Sequence, residues 1–334
     1  MDQLLIQVAG ESRYNADSLI GTARKGSCDI SSHERGFMRG SFGSGTLLLL
    51  SVLGLTLAGC GRQADPEQVD ARLQVVASVL PMADFARQVG GDRVRVEALV
   101  PAGASPHTYD LTPAQMKAVA RARVLILNGV GLEFWADKVV SSAGNPNLVV
   151  VTASDGLKII AGDADEPGGN PHTWLSPVNA MRQVEKICRA LIQVDPAGSG
   201  VYRANADRFQ RELRALDEEI RAAVAGFSTR KFIAFHAAWS YFAADYGLEE
   251  TAVVERRPGQ EPSPAEIADI VRKSKEIKTK AIFAEPQFSS KAAEAIAEEC
   301  GARVLFLNPM GIPPENRYLD LMRYNLRQIS LAMR

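Results

Sequence analysis

The chain is 334 residues long, with 46% hydrophobic and 23% charged residues and a formal net charge of −1. That length predicts about two domains with sizeable cores, and the near-neutral charge argues against attraction to nucleic acid or an anionic membrane through bulk electrostatics. Beyond residue 60 no apolar run approaches the roughly 20 residues a membrane-spanning helix needs.

The first sixty residues read differently from the rest. A basic start at Met38-Arg39 precedes the apolar run Thr46–Leu57 and the small residues Ala58-Gly59 before Cys60. Basic, apolar and small-residue segments in that order form a secretory signal over 38–59. Its ending, Leu57-Ala58-Gly59-Cys60, resembles a bacterial lipoprotein signal, which implies that Cys60 carries the lipid. Residues 1–37 lack periodicity and match no targeting pattern, so we expect a leader upstream of a true start at Met38. The polar stretch 60–71 is then a tether. Of the four cysteines, Cys28 lies in the leader; Cys188 and Cys300 sit in helical patterns and are expected to be separate buried thiols.

From Leu73 onwards, strand and helix signals alternate. A β-rich run at Leu73–Val79 precedes a helical pattern at Pro81–Val89, closed by Gly90-Gly91. The strand Arg93–Val100 empties into a loop, and Thr112-Pro113 is a helix start with an N-cap threonine and proline at the first helical position. Strands at Val124–Leu127 and Leu148–Thr152 flank a helix at Leu132–Ser142. The loop 158–171 carries Asp163, Asp165 and Glu166, read as a solvated surface. Helices follow at Val178–Gln193 and Tyr202–Ala225. The latter runs about 24 residues without proline or glycine, roughly 35 Å at 1.5 Å per residue, which reads as a rigid spine. The alternation then restarts with strands at Lys231–Phe235, Thr251–Val254, Ala281–Ala284 and Val304–Leu307. Helices are expected at Ala238–Tyr246, Ala265–Lys278, Ser290–Cys300 and Asn316–Met333. Mostly apolar strands alternating with helices predict parallel sheets covered on both faces.

The chain has four histidines, and three of them, spaced about 65 residues apart, occupy related contexts. His107 lies in Ala102-Gly-Ala-Ser-Pro-His-Thr-Tyr-Asp-Leu111, His172 in Asn170-Pro-His-Thr-Trp-Leu-Ser-Pro177, and His236 in Phe232-Ile-Ala-Phe-His-Ala-Ala-Trp239. Imidazole is the commonest metal ligand, and a proline before it stiffens the loop that aims it. In open α/β sheets ligands bind beyond the carboxyl ends of strands. His107, His236, Glu285 and Asn308 all follow expected strand ends, as a shared site requires. Trp174 and Trp239 are read as core packed beneath that site.

Together with Glu261-Pro-Ser-Pro264 and Ala284-Glu-Pro-Gln-Phe-Ser-Ser-Lys291, these blocks resemble the zinc/manganese substrate-binding proteins of bacterial ABC importers, over about residues 72–334. The resemblance implies an α/β fold of two lobes, each with a mainly parallel sheet flanked by helices, joined by one long linker helix. The expected division is an amino-terminal metal-binding lobe at 72–200, the linker helix at 201–227 and a carboxyl-terminal metal-binding lobe at 228–334. It also implies that His107 and His172 are ligands from the first lobe and His236 a ligand from the second. The family's fourth ligand is usually an Asp, where this chain has Asn308. Asp110 and Glu285 are candidates for orienting the ligand imidazoles.

Three imidazoles with at most an amide oxygen suit Zn2+, whereas Mn2+ prefers carboxylate oxygens. A manganese-type member is the alternative. The resemblance further implies delivery of the ion to a membrane permease. No Gly-x-x-x-x-Gly-Lys-Ser/Thr loop is present, so ATP hydrolysis belongs to a partner ATPase. The expected protein is a non-enzymatic, monomeric lipoprotein of the cell envelope, held to the membrane by its lipid and facing the periplasm or exterior. Rival readings are a three-histidine zinc hydrolase, with Glu285 as its only candidate base, and a surface adhesin. Because a ligand imidazole must be neutral, affinity is expected to fall below about pH 6.5.

Overall fold

A computed structural model describes residues 71–162, 168–257, 259–313 and 317–334. The leader 1–37, the signal 38–59, Cys60, the tether up to residue 70, and Asp163, Asp165 and Glu166 lie outside the described residues.

The first lobe is built on strands β1 (Leu73–Ala77), β2 (Val94–Ala98), β3 (Val124–Leu127) and β4 (Val149–Thr152), ordered β2-β1-β3-β4 with every neighbouring pair parallel. Helices α1 (Leu80–Gly90), α2 (Pro113–Arg121), α3 (Ala136–Ala143) and α4 (Pro177–Val194) alternate with them. β3 is buried along its whole length, which explains why its sequence is continuously apolar rather than alternating. Thr112 caps α2 in a full capping box: its hydroxyl accepts from Gln115 N–H, and the Gln115 side chain accepts from Thr112 N–H.

The helix expected from Leu132 begins only at Ala136. The Glu133 carboxylate turns back to accept the backbone N–H groups of Asn128 and Gly129, at 2.8 and 2.9 Å. Gly129 and Gly131 take positive φ, as does Val130 between them. Residues 129–135 therefore close a loop around a buried carboxylate instead of starting the helix.

Helix α5 (Ser199–Ala225) has 27 residues and spans roughly 40 Å. Its buried residues Tyr202, Ala206, Phe209, Leu213, Leu216, Ile220 and Val224 recur every three or four positions, forming one apolar stripe. In the second lobe, β5 (Lys231–Ala234) pairs with β6 (Glu249–Val253), and β7 (Ala281–Ala284) with β8 (Arg303–Phe306), each in parallel. β5 and β7 pack side by side without a shared ladder. Helices α6 (Ser240–Tyr246), α7 (Pro264–Glu276), α8 (Lys291–Cys300) and α9 (Tyr318–Met333) complete it.

The lobes are not independent. The largest apolar cluster runs from Val75 through α4 and α5 to Met333, and the described residues from 71 onwards pack as one unit. At the start of α9, the Tyr318 N–H donates to Asp84 on α1 and its hydroxyl to the Trp174 carbonyl. Cys188 and Cys300 are separate free thiols. Among the described residues no helix is long and apolar enough to cross a membrane.

Leu213 is fully buried at the middle of the α5 stripe. Leu213→Ala should therefore lower the unfolding free energy by about 2–5 kcal/mol through lost transfer energy and a residual cavity. Urea denaturation of the metal-free protein checks this, with a loss below about 1 kcal/mol indicating that α5 does not carry the shared core.

Candidate metal centre

Each of the three histidines is delivered by a differently braced loop. His107 lies beyond β2, where the chain leaves the sheet after two further sheet-like bonds, Leu99 N–H to Ala77 O and Val100 N–H to Ser78 O. The loop's far end is tied back because Gln115 on α2 donates to the Leu99 carbonyl and bonds the Tyr109 hydroxyl. Pro106 is buried beneath it.

The segment carrying His172 has no strand behind it, and buried amides hold it instead. Asn128, at the end of β3, donates to the Pro171 carbonyl at 2.7 Å and accepts from the Thr173 hydroxyl at 2.9 Å. Gln183 on α4 donates to the same hydroxyl. The Asn170 carboxamide does two jobs. Its oxygen accepts from the His172 backbone N–H and lies 3.0 Å from His172 Nδ1, while its nitrogen donates to the Ala237 carbonyl, next to His236.

His236 stands one residue past Phe235 at the end of β5, and the Phe235 ring stacks on Phe288 at 5.4 Å. Its Nδ1 lies 2.8 Å from Oε1 of Glu285, at the end of β7. Both orienting atoms, the Asn170 oxygen and the Glu285 carboxylate, accept hydrogen bonds only. Each Nδ1 therefore carries the proton, and each Nε2 points its lone pair inward.

The three rings meet. His172 Nε2 lies 3.1 Å from Nε2 of His107 and 3.1 Å from Nε2 of His236. One nitrogen from each ring falls within 4.8 Å of the others. Nitrogens at about 2.0–2.1 Å from a tetrahedral Zn2+ are about 3.3 Å apart, so this spacing is nearly that of a coordinated set. The cavity they line has a volume of about 10 Å³, room for one ion or one water.

The other expected residues have different places. Asp110 is exposed and makes no hydrogen bond to His107; Asn170, unassigned from sequence, orients His172 instead. The Asn308 oxygen accepts from both Met310 and Gly311 N–H groups, at 3.1 and 2.9 Å, which engages both its lone pairs in shaping its own loop. Asn325 on α9 holds that loop through two further bonds to the Asn308 backbone. Trp174 and Trp239 are fully buried, and Trp174 Nε1 donates to the Pro309 carbonyl at 2.7 Å, fastening the His172 segment to the Asn308 loop. The braces Asn128, Asn170, Gln183 and Asn325 went unread because lone amides carry no sequence period. Only Asn170, inside the Asn-Pro-His-Thr block, had a local signal.

Burial governs the electrostatics. Desolvation, then the charge of His236, pushes the His107 imidazole down to about 3 from an ordinary value near 6.5, and His172 also falls well below its ordinary value. Burial therefore moves proton competition at these two ligands to lower pH than their ordinary value implies. It also makes stability pH-dependent. Between about pH 3 and 6.5 the unfolded chain binds protons that the folded one refuses, so stability is full above 6.5 and declines as pH falls. The metal-free protein should lose up to about 1 kcal/mol per pH unit per buried histidine across that window. Denaturation midpoints at pH 7, 5.5 and 4.5 check this, with a shallower slope expected for His107→Gln; equal slopes would contradict the burial argument.

The family described as ZnuA, zinc-uptake complex component A, periplasmic, matches residues 75–332. The chain is 30% identical to the high-affinity zinc uptake system protein ZnuA of Bacillus subtilis over 301 residues, covering 84% of this chain and 94% of that one. It is 29% identical to the manganese-binding lipoprotein MntA of Halalkalibacterium halodurans, covering 83% and 94%. A crystal structure of ZnuA superposes with a TM-score of 0.71 at 35% identity, covering 78% of this chain and 99% of the other. With two α/β lobes and histidines convergent from both, the chain belongs to the ZnuA family of metal-binding solute-binding proteins.

Proposed function

We propose that this protein captures Zn2+ outside the cytoplasmic membrane and delivers it to an ABC import permease powered by a partner ATPase. The observation carrying this reading is the convergence of three Nε2 atoms, one from each histidine, on a single small cavity. His107, His172 and His236 are the proposed ligands. Glu285 and Asn170 hold two of them in the metal-binding tautomer, and Asn308 shapes the loop beside the cavity. The space beside the three rings is small and lined mostly by apolar groups, which fits cargo capture rather than chemistry on an organic substrate.

Among the described residues no Asp, Glu or Cys joins the three histidines in the cluster. A nitrogen-rich set favours zinc over manganese, which seeks carboxylate oxygens. MntA marks manganese as the second reading. The hydrolase alternative needs a free base beside a metal-bound water, but the one candidate, Glu285, is bonded to His236. Ligands come from both lobes, so the bound ion ties them together and release must break at least one bond. In this reading the protein is a monomer anchored through lipidated Cys60, and the envelope is its compartment.

Metal analysis and competition titration test the proposal. Purified protein should hold one equivalent of zinc and keep it against excess manganese. His236→Ala should abolish stoichiometric binding, and Glu285→Gln should weaken it about 10–100-fold by loosening the His236 tautomer and orientation. Preferential manganese binding would overturn the donor-softness argument, and the absence of stoichiometric metal would overturn the whole reading.

A further inference from the structure

Three imidazoles leave one position of a tetrahedral ion uncovered, and Asn308 does not fill it, because its oxygen already takes two backbone N–H groups. The wall of the cavity offers another group. Gln287 lines it two residues beyond Glu285, and both carboxamide atoms, Oε1 and Nε2, are buried with no hydrogen-bond partner. Leaving both amide atoms of one side chain buried and unsatisfied destabilises the folded protein. Such a group marks a place where the fold holds a polar atom ready for something else. The carboxylate beside it is also half-engaged: Glu285 gives Oε1 to His236, while Oε2 has no partner.

We propose that Gln287 closes the fourth coordination position, with Oε1 binding the ion and Nε2 donating to Glu285 Oε2. This rests on the three-histidine zinc reading and deepens it. Loading the ion would satisfy three orphaned atoms together. The shell becomes three nitrogens and one neutral amide oxygen, with the cation's charge balanced indirectly through Glu285. That shell suits zinc, and it explains how the site dispenses with a ligand carboxylate. Gln287 is then a selectivity residue, because a charged oxygen at the same position would make the shell more attractive to manganese.

Cobalt(II) substitution with azide as a probe tests the assignment, since azide enters only where coordination is open or held by exchangeable water. In wild type the cobalt bands should not respond to azide. In Gln287→Ala they should shift on azide addition, and zinc affinity should fall about tenfold, as for loss of a supporting group at a metal site. Gln287→Glu should restore azide insensitivity and raise manganese affinity relative to zinc at least about tenfold, which decides the matter even if the alanine variant folds poorly. An azide-responsive wild type, an alanine variant indistinguishable from wild type, or a glutamate variant with unchanged manganese-to-zinc preference would each overturn the proposal while leaving the three-histidine site standing. A wild type that binds neither cobalt nor zinc would instead overturn that site, and this proposal with it.

Discussion

Holding imidazole lone pairs against one another, out of water, at 3.1 Å is the constraint on which the rest of the structure depends. Such an arrangement is costly in the metal-free protein, because burial strips the rings of water and disfavours the protonated forms of His107 and His172. It persists only because the surroundings over-determine it. Asn170 and Glu285 fix two tautomers, Asn128 and Gln183 pin the His172 segment, and Gln115 anchors the loop of His107. The strain is local and small beside the core that opposes it.

That core is shared. The α5 stripe and its neighbours form one apolar cluster extending from β1 to the end of α9, so the lobes cannot swing apart without exposing it. The bonds from Tyr318 to Asp84 and Trp174 add polar fastening between early and late parts of the chain. The three histidines sit in loops carried by this shared frame. Most of the bracing bonds lie in those loops rather than in the sheets.

The donor set is consistent with the proposed capture of an ion. A hydrolytic zinc site needs an exchangeable water and a free base next to it. Here the nearby carboxylate is committed through one oxygen to His236. Neutral ligands bind the ion without cancelling its charge, and the first compensating charge, Glu285, acts through the His236 ring. Strong binding that leaves a net positive centre fits an ion that must later be handed on.

Much of this was legible in the residues alone. β3 and β7 lie at their expected bounds because a buried parallel strand must be apolar throughout, and few other segments of that length are. The capped start of α2 followed from Thr112-Pro113, and most of α5 from a run free of proline and glycine, although the helix begins three residues before Tyr202 and includes Gly200. His107 and His172 announced themselves by proline-bearing contexts, and His107 and His236 by position after strand ends. Tertiary structure decided the rest. Glu133 delayed α3 by drawing backbone N–H groups around itself, a bond to residues four and five positions back that no periodicity encodes. Asn308 turned inward to its own loop, Asp110 outward to solvent, and Asn170 took the orienting role, because each depends on distances between segments far apart in the chain. Local sequence determined which groups exist and on which elements they sit; only the packed fold determined which lone pairs were already in use.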